Sequence, residues 1–112
     1  YIYNISEHFI AKNITNNSYW EGRNYLDIYD ELITIKGIGS WTAEMFGMFH
    51  LLEKDIFPLK DVGVIRAMNQ LYNDGKKLDI DKIIEISDTW RPYRSVACWF
   101  LWRSIDSEEV LY

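Results

Sequence analysis

The 112-residue chain contains a single cysteine, Cys98, and only two prolines. A lone thiol excludes an internal disulfide, a zinc site built from several cysteines and an iron–sulfur cluster. Cys98 lies inside an apolar run that spans residues 96–102. We therefore expect Cys98 to pack in a hydrophobic core, and we expect the protein to work in a reducing, cytoplasmic environment.

Positive charge is scarce as well. The chain has 12 Lys and Arg residues against 17 Asp and Glu residues, which gives a formal net charge of −5. Domains that nucleic acid attracts through their overall field are usually basic, so any such contact here must be local. No apolar stretch approaches the ~20 residues that a membrane-spanning helix needs. The sequence predicts a soluble protein.

Hydrophobic residues make up 48% of the chain and aromatic residues 16%, which is enough for a packed core in one domain. Apolar residues recur at helical spacing nearly throughout, whereas strand-like alternation is confined to a few residues. The pattern predicts an all-α bundle of about six helices, near residues 1–12, 24–35, 40–52, 62–72, 80–89 and 92–105. The third helix should form the buried axis. Because the chain starts without Met and already in a helical pattern, we expect a piece of a longer protein.

Two glycines separated by one residue, Gly37 and Gly39, lie between the second and third predicted helices. Glycine lets a backbone turn tightly and approach a ligand closely, and a helix that begins at Ser40 directs unpaired N–H groups at an anion. Ser40 also has the side chain preferred at a helix N-cap. The pair predicts a phosphate-binding turn, with a simple helix C-cap followed by a turn as the alternative.

Asp61 follows Gly39 by 22 positions and directly precedes the fourth predicted helix. An aspartate at this place caps the first N–H groups of the helix, which is a sufficient structural reason for its presence. A carboxylate held there can also take part in chemistry. We expect the other acidic residues near loops and helix starts, among them Asp55, Asp74 and Asp81, to be solvated.

Three segments carry a specific pattern when they are taken together in this order. Residues 35–46 have the sequence IKGIGSWTAEMF, residues 55–64 have DIFPLKDVGV, and residues 90–97 have WRPYRSVA. These segments resemble the DNA-3-methyladenine glycosylase II (AlkA-like) branch of the helix-hairpin-helix-GPD superfamily of DNA glycosylases. The resemblance implies an all-α helix-hairpin-helix-GPD domain, of which this chain is the C-terminal part.

The resemblance also implies how the single domain, residues 1–112, is organised. The helix-hairpin-helix motif covers about 24–52, the catalytic aspartate loop and its helix 53–73, and the C-terminal helices 80–105. By resemblance Asp61 is the catalytic residue, and Trp41 and Tyr93 are walls of the base pocket. The residues implied to bind the DNA phosphate are Lys36, Gly37, Gly39, Ser40 and Thr42.

The implied reaction is hydrolysis of the N-glycosidic bond of an alkylated purine, of the 3-methyladenine or 7-methylguanine type, in base excision repair. Bifunctional relatives carry a sugar-attacking lysine where this chain has Trp41. The resemblance therefore implies a monofunctional enzyme that uses water and leaves an abasic site. The implied partner is double-stranded DNA with alkylated bases, and we expect a DNA-associated monomer. No cofactor is implied, apart from a monovalent cation held by the hairpin carbonyls.

Other interpretations of the same residues stay open. The chain could be a non-catalytic helix-hairpin-helix DNA-binding module, an inactive fragment of a glycosylase, or a helical interaction domain without a DNA role. Three arginines of the last segment could contact phosphates or pair with acidic neighbours such as Asp88 or Asp106: these are Arg91, Arg94 and Arg103. His8 and His50 lack partners at metal-ligand spacing, and we expect Trp90 to be a core residue.

Overall fold

A computed structural model describes the backbone of residues 2–110 and the side chains of residues 2–105. The side chain of Asp106, considered above as an arginine partner, is outside the described residues. The described part contains six α-helices and no strand, which confirms the all-α prediction. The helices are α1 Ile2–Ala11, α2 Tyr25–Ile33, α3 Ser40–Phe49, α4 Val62–Asn73, α5 Ile80–Asp88 and α6 Arg94–Val110.

The chain divides into two compact units, Tyr1–Leu52 and Glu53–Tyr112, which we call the N-terminal unit and the C-terminal unit. In the N-terminal unit α2 packs against α3, and a 3₁₀ turn, Asn17–Tyr19, precedes α2. The buried core of this unit comprises Trp20, Ile28, Leu32, Ile35 and Ala43. Phe9 of α1 and Phe46 of α3 pack against this core, and both rings contact Trp20.

A carboxylate, Glu31, ties the polar side of the N-terminal unit together. Its two oxygens accept hydrogen bonds from the Tyr19 hydroxyl at 2.8 Å and from Arg23 Nη2 at 2.7 Å, and His8 Nε2 lies 2.7 Å away. Burial raises the pKa of Glu31, but the hydrogen bonds from His8, Arg23 and Tyr19 outweigh it and leave that pKa lowered. His8 therefore links α1 to α2 through this carboxylate.

In the C-terminal unit α4 packs against α6. The apolar residues buried there are Ile56, Pro58, Val64, Ala67, Met68, Leu78, Ile83, Cys98, Leu101 and Ile105. Cys98 is fully buried in α6, so the prediction of a core cysteine is confirmed. No helix in the described part of the chain is both long enough and apolar enough to cross a bilayer.

The expectation that the third helix, α3, forms a buried axis is wrong. Ala43, Gly47 and Met48 are buried, but Trp41 is 47% exposed and Phe49 is 60% exposed. Apolar residues occur on every side of α3, whereas packing buries only one stripe of it. The exposed rings are therefore a surface feature that composition alone did not distinguish from core.

The C-terminal helix α6 begins at Arg94, two residues after the predicted start at Pro92. The Tyr93 N–H donates to the Trp90 carbonyl at 2.7 Å, which closes a turn before the helix. The first bond of the helical pattern runs from Ala97 N–H to the Tyr93 carbonyl at 3.1 Å. Pro92 therefore lies in the turn and not in the first turn of the helix.

Asp55 is not solvated as expected, because it holds the start of α6. Its carboxylate accepts from the Arg94 N–H at 3.2 Å and from Arg94 Nε at 2.8 Å, and Arg91 Nη1 lies 3.6 Å away. The hydrogen bond from the Arg94 side chain is the main reason why the pKa of Asp55 is lowered. Ser95 N–H completes the junction by donating to the Lys54 carbonyl at 3.0 Å.

Candidate functional site

The hairpin between α2 and α3 is held by its apolar residues and presents its polar and glycine residues to solvent. Ile35 is buried and Ile38 is half-buried, and the Ile38 N–H donates to the Ile35 carbonyl at 3.0 Å. Gly37 has φ +99°, a conformation that glycine adopts without the Cβ clash of other residues. Lys36, Gly37 and Gly39 are exposed at the tip.

The N-cap of α3 is Gly39 and not Ser40, which is the first helical residue. Gly39 has an extended backbone, and it offers no side chain to the first N–H groups of the helix. The first helical bond runs from Ala43 N–H to the Gly39 carbonyl, so the amides of Ser40, Trp41 and Thr42 precede the bonded pattern. This helix start can donate backbone hydrogen bonds to an anion.

Asp61 is the N-cap of α4, and the residue is buried, with only 8% of its surface exposed. Its Oδ2 accepts a hydrogen bond from the Val64 N–H at 2.9 Å. The preceding loop fixes the backbone of this residue, since the Asp61 N–H donates to the carbonyl of the buried Pro58 at 2.9 Å. The capping prediction for Asp61 is confirmed, and the carboxylate has one defined orientation.

Trp102 of α6 is a site residue that sequence analysis missed. Its indole Nε1 donates to Asp61 Oδ2 at 2.8 Å, across 41 residues of sequence. Gly63 makes this approach possible, because a Cβ there would lie 3.1 Å from Trp102 Cδ1 and 3.3 Å from Asp61 Oδ2. A tryptophan in an apolar helix has no signal that names its partner, although the glycine two residues after Asp61 is a residue that permits close approach.

The two predicted pocket aromatics are both exposed in their own units. Trp41 lies in the first turn of α3 and is 47% exposed, and Tyr93 precedes α6 and is 55% exposed. The Lys54 ammonium lies 5.3 Å from the centre of the Tyr93 ring, a cation–π contact. Trp90, expected in the core, is half-buried with its ring centre 6.1 Å from that of Phe57.

The three C-terminal arginines have partners within the protein. Arg94 binds Asp55, as described above, and Arg91 Nε donates to Asp88 at 3.1 Å. The Arg103 guanidinium lies 5.0 Å from the centre of the Trp99 ring. For Arg91 and Arg94 the contacts support pairing with acidic residues of the chain, whereas the contact described for Arg103 is with an aromatic ring.

The described residues contain no group of three or more His, Cys, Asp or Glu side chains that could hold a metal ion. His50 instead lies 2.8 Å from Asn17 Oδ1 and stacks on Phe46. A monovalent cation at the hairpin would have to use backbone carbonyls, and one of these, that of Lys36, accepts a bond of 3.5 Å from Asn4 Nδ2. The cation stays a prediction.

Known proteins resemble this chain in both sequence and fold. A DNA-3-methyladenine glycosylase from Bacillus subtilis is 41% identical over 80 residues, which are 71% of this chain and 26% of that protein. The crystal structure of a DNA-3-methyladenine glycosidase from Bacillus halodurans has 35% identity and a TM-score of 0.74, covering 87% of this chain and 45% of the other. The chain is a relative of the DNA-3-methyladenine glycosylases.

A yeast member of these glycosylases adds a structure with DNA. The 3-methyladenine DNA glycosylase Mag1 of Schizosaccharomyces pombe, solved in complex with abasic DNA, is 29% identical with a TM-score of 0.81. It covers 89% of this chain and 48% of its own chain. No family model matches the chain. The structural matches show that the chain has the helix-hairpin-helix-GPD fold. It spans about a quarter to a half of the length of these relatives.

Proposed function

We propose that this chain carries the DNA-gripping hairpin and the catalytic aspartate of a monofunctional DNA glycosylase that removes alkylated purines. The reaction is hydrolysis of the N-glycosidic bond, with water as nucleophile and an abasic site as product. The observation that carries the proposal is the Asp61 carboxylate, fixed at the start of α4 by hydrogen bonds from Val64 N–H and Trp102 Nε1. The relatedness to DNA-3-methyladenine glycosylases supports it.

The chemistry assigned to Asp61 follows from the charge of the transition state. When the bond between sugar and base breaks, positive charge develops on the deoxyribose ring. A carboxylate whose orientation is fixed in advance stabilises that charge, and it can also orient the attacking water. Because Asp61 is only 8% exposed, little water screens its charge. Trp102 is the positioning residue in this scheme, since its indole donates to the carboxylate.

The hairpin binds the phosphate backbone of the DNA strand and does not recognise its base sequence. The amides that open α3, those of Ser40 and Thr42 among them, donate to phosphate oxygens, and the side chain of Lys36 adds a positive charge nearby. Gly37 and Gly39 have no Cβ atoms that could obstruct a DNA strand. No protein atom lies within 4 Å of the place where a Cβ of Gly39 would be. The hairpin therefore has room for a close approach by the strand.

Selection of alkylated purines follows from their positive charge. A ring such as 7-methylguanine is cationic, so the electron-rich faces of Trp41 and Tyr93 attract it more than they attract a normal base. The same charge makes the purine a good leaving group, which removes the need for a strong general acid. The nucleotide must leave the helix first, and this costs a few kcal/mol, less at a lesion that stacks or pairs poorly.

The test is base release from duplex DNA that carries a single 7-methylguanine. Asp61→Asn keeps a side chain that caps α4 but removes the charge, so base release should fall by about 100-fold or more while the melting temperature is retained. Asp74→Asn is the matched control. Asp74 is exposed with a left-handed backbone that asparagine tolerates, so this variant should keep full activity. An Asp61→Asn variant as active as wild type would remove Asp61 from the mechanism.

A non-catalytic DNA-binding module is the second candidate, because the chain covers only 26–48% of the relatives compared above. This candidate shares the hairpin interaction but not the reaction. It predicts that the wild-type chain binds duplex DNA with affinity that falls as salt rises, and that no base is released. The same assay therefore separates the two candidates.

A further inference from the structure

A groove runs along the exposed side of α4 in the C-terminal unit and has no role in the mechanism above. It encloses about 310 Å³. The residues that line it are Lys60, Val62, Ile65, Arg66, Asn69, Gln70 and Gly75. Five of these recur at helical spacing from Val62 to Gln70, so one face of the helix forms the floor. Lys60 lies before the first turn of α4 and Gly75 after its last turn.

The groove is positively charged in a chain that is negative overall. Lys60 and Arg66 both line it and are exposed, and Lys76 and Lys77 follow directly after Gly75. Residues 60–77 contain these four cations and only two carboxylates, one of which is the buried Asp61. The other carboxylate is Asp74, which is exposed. The chain as a whole has a formal charge of −5, so this segment is a local reversal of sign.

The far end of the groove is held in place by hydrogen bonds. The Asn69 carbonyl accepts from the Gly75 N–H at 2.9 Å, and Asn69 Oδ1 accepts from the Leu78 N–H at 3.0 Å. Asn73 Nδ2 donates to the carbonyls of Lys76 and Lys77 at 3.1 and 3.3 Å. The loop that carries these two lysines is therefore fixed before any ligand binds, which lowers the entropy lost on binding.

We propose that this groove is a second phosphate-binding surface for DNA, made of residues different from those of the hairpin. The proposal rests on the proposed function, which makes DNA the partner. The 12 residues of α4 rise about 18 Å, roughly the length of five base pairs at about 3.4 Å each along the axis of a DNA duplex. Lys60 and Arg66 contact phosphates inside the groove, and Lys76 and Lys77 contact them from the loop that follows Gly75. The Gln70 amide also donates to phosphates, and Val62 and Ile65 lie against deoxyribose.

The experiment measures how the affinity of the chain for duplex DNA depends on salt. Each lost phosphate contact lowers the steepness of log K against log salt by about 0.9. The double variant Lys60→Gln/Arg66→Gln should therefore lower it by roughly 1.8 and weaken binding at low salt. The control Lys12→Gln/Lys82→Gln removes the same charge at exposed positions outside the groove, and should leave the steepness unchanged.

A second double variant guards against a folding effect at Arg66. Lys76→Gln/Lys77→Gln changes only exposed loop side chains, whose backbone carbonyls still bind Asn73, and it should also lower the steepness. If both groove variants keep the wild-type steepness while Lys36→Gln in the hairpin lowers it, the groove proposal is overturned and the proposed function stands. If the wild-type chain shows no salt-dependent binding to duplex DNA, both fail.

Discussion

The first N–H groups of α3 and of α4 both lack partners within their own helix, and the two N-caps treat these groups in opposite ways. α4 is closed by the Asp61 carboxylate, which accepts from the Val64 amide at 2.9 Å. α3 begins at Gly39, whose lack of a side chain leaves its first amides without such a cap. A capping side chain stabilises a helix by about 1 kcal/mol relative to alanine but by only a few tenths of a kcal/mol relative to glycine, so Gly39 leaves the start of α3 open at a small cost in stability.

The difference shows that a helix N-terminus can favour either an anion or a developing positive charge, depending on whether its N-cap carries a carboxylate. The open start of α3 suits an incoming anion such as a DNA phosphate, because its amides and the helix dipole favour negative charge. The start of α4 already contains a negative charge, which suits the positive charge that develops on a sugar. Changing which start carries the carboxylate therefore tests the comparison directly.

The largest expected effect comes from removing the cap of α4. Asp61→Ala takes away the acceptor for Val64 N–H and for Trp102 Nε1, so the free energy of unfolding should fall by about 2 kcal/mol. Gly39→Ala, at the N-cap of α3, should lower it by less than about 1 kcal/mol, because alanine is a poorer cap than glycine but no side-chain hydrogen bond is lost and open space surrounds the added Cβ. Urea denaturation measures both variants. Equal losses in the two would contradict the assigned roles of the two caps.

A smaller effect is expected from giving α3 the cap that it lacks. Gly39→Asp places a carboxylate over the amides of α3, so we expect affinity for duplex DNA to fall roughly tenfold, or about 1.4 kcal/mol, with stability retained or slightly raised. Gly39→Ala serves as the control for the added Cβ. Fluorescence anisotropy with labelled duplex checks this. Undiminished binding by Gly39→Asp would exclude α3 as the phosphate site.

The smallest effect concerns acid stability, which extends the comparison to one carboxylate in each unit. The folded-state pKa values of Glu31 and Asp55 are lowered from 4.5 and 3.8. Each carboxylate therefore contributes stability above its unfolded value, and this contribution is lost as pH falls through the lowered folded value. Glu31→Gln should flatten the loss of stability below about pH 4.5 in the N-terminal unit, and Asp55→Asn below about pH 3.8 in the C-terminal unit.

Amide hydrogen exchange, read separately for the two units, measures these acid profiles. Asp30→Asn is the control, because Asp30 is exposed on α2 and no hydrogen bond of the Glu31 cluster uses it. A profile that flattens equally for Asp30→Asn and Glu31→Gln would count against the Glu31 cluster as the source of acid sensitivity.

The helices could be predicted from the sequence because their signals are local. Apolar spacing, together with the capping preference of Asp61 for α4, predicts every described helix start to within about two residues of its position in the structure. The exception in detail was Ser40, which has a good capping side chain but is already helical, because the extended backbone lies one residue earlier at Gly39. The preference of serine for caps does not tell which of two adjacent residues is extended.

The contacts that complete the candidate site could not be predicted in the same way. The Trp102 bond to Asp61 spans 41 residues, and the Asp55 bond to Arg94 spans 39. Periodicity shows which face of α6 is buried, but it does not show which polar atom meets an indole N–H across the core. Asp55 was expected in solvent for that reason, since its partner lies on a distant helix.

The burial of Cys98 has a practical consequence. Its side chain is inaccessible in α6, and it is the one thiol of the chain. A thiol-specific reagent such as a maleimide can reach it only after α6 has detached from its neighbours, so the rate of labelling reports how often the C-terminal unit opens. The molecule thus carries its own probe of local unfolding, and DNA that clamps this unit would slow the labelling.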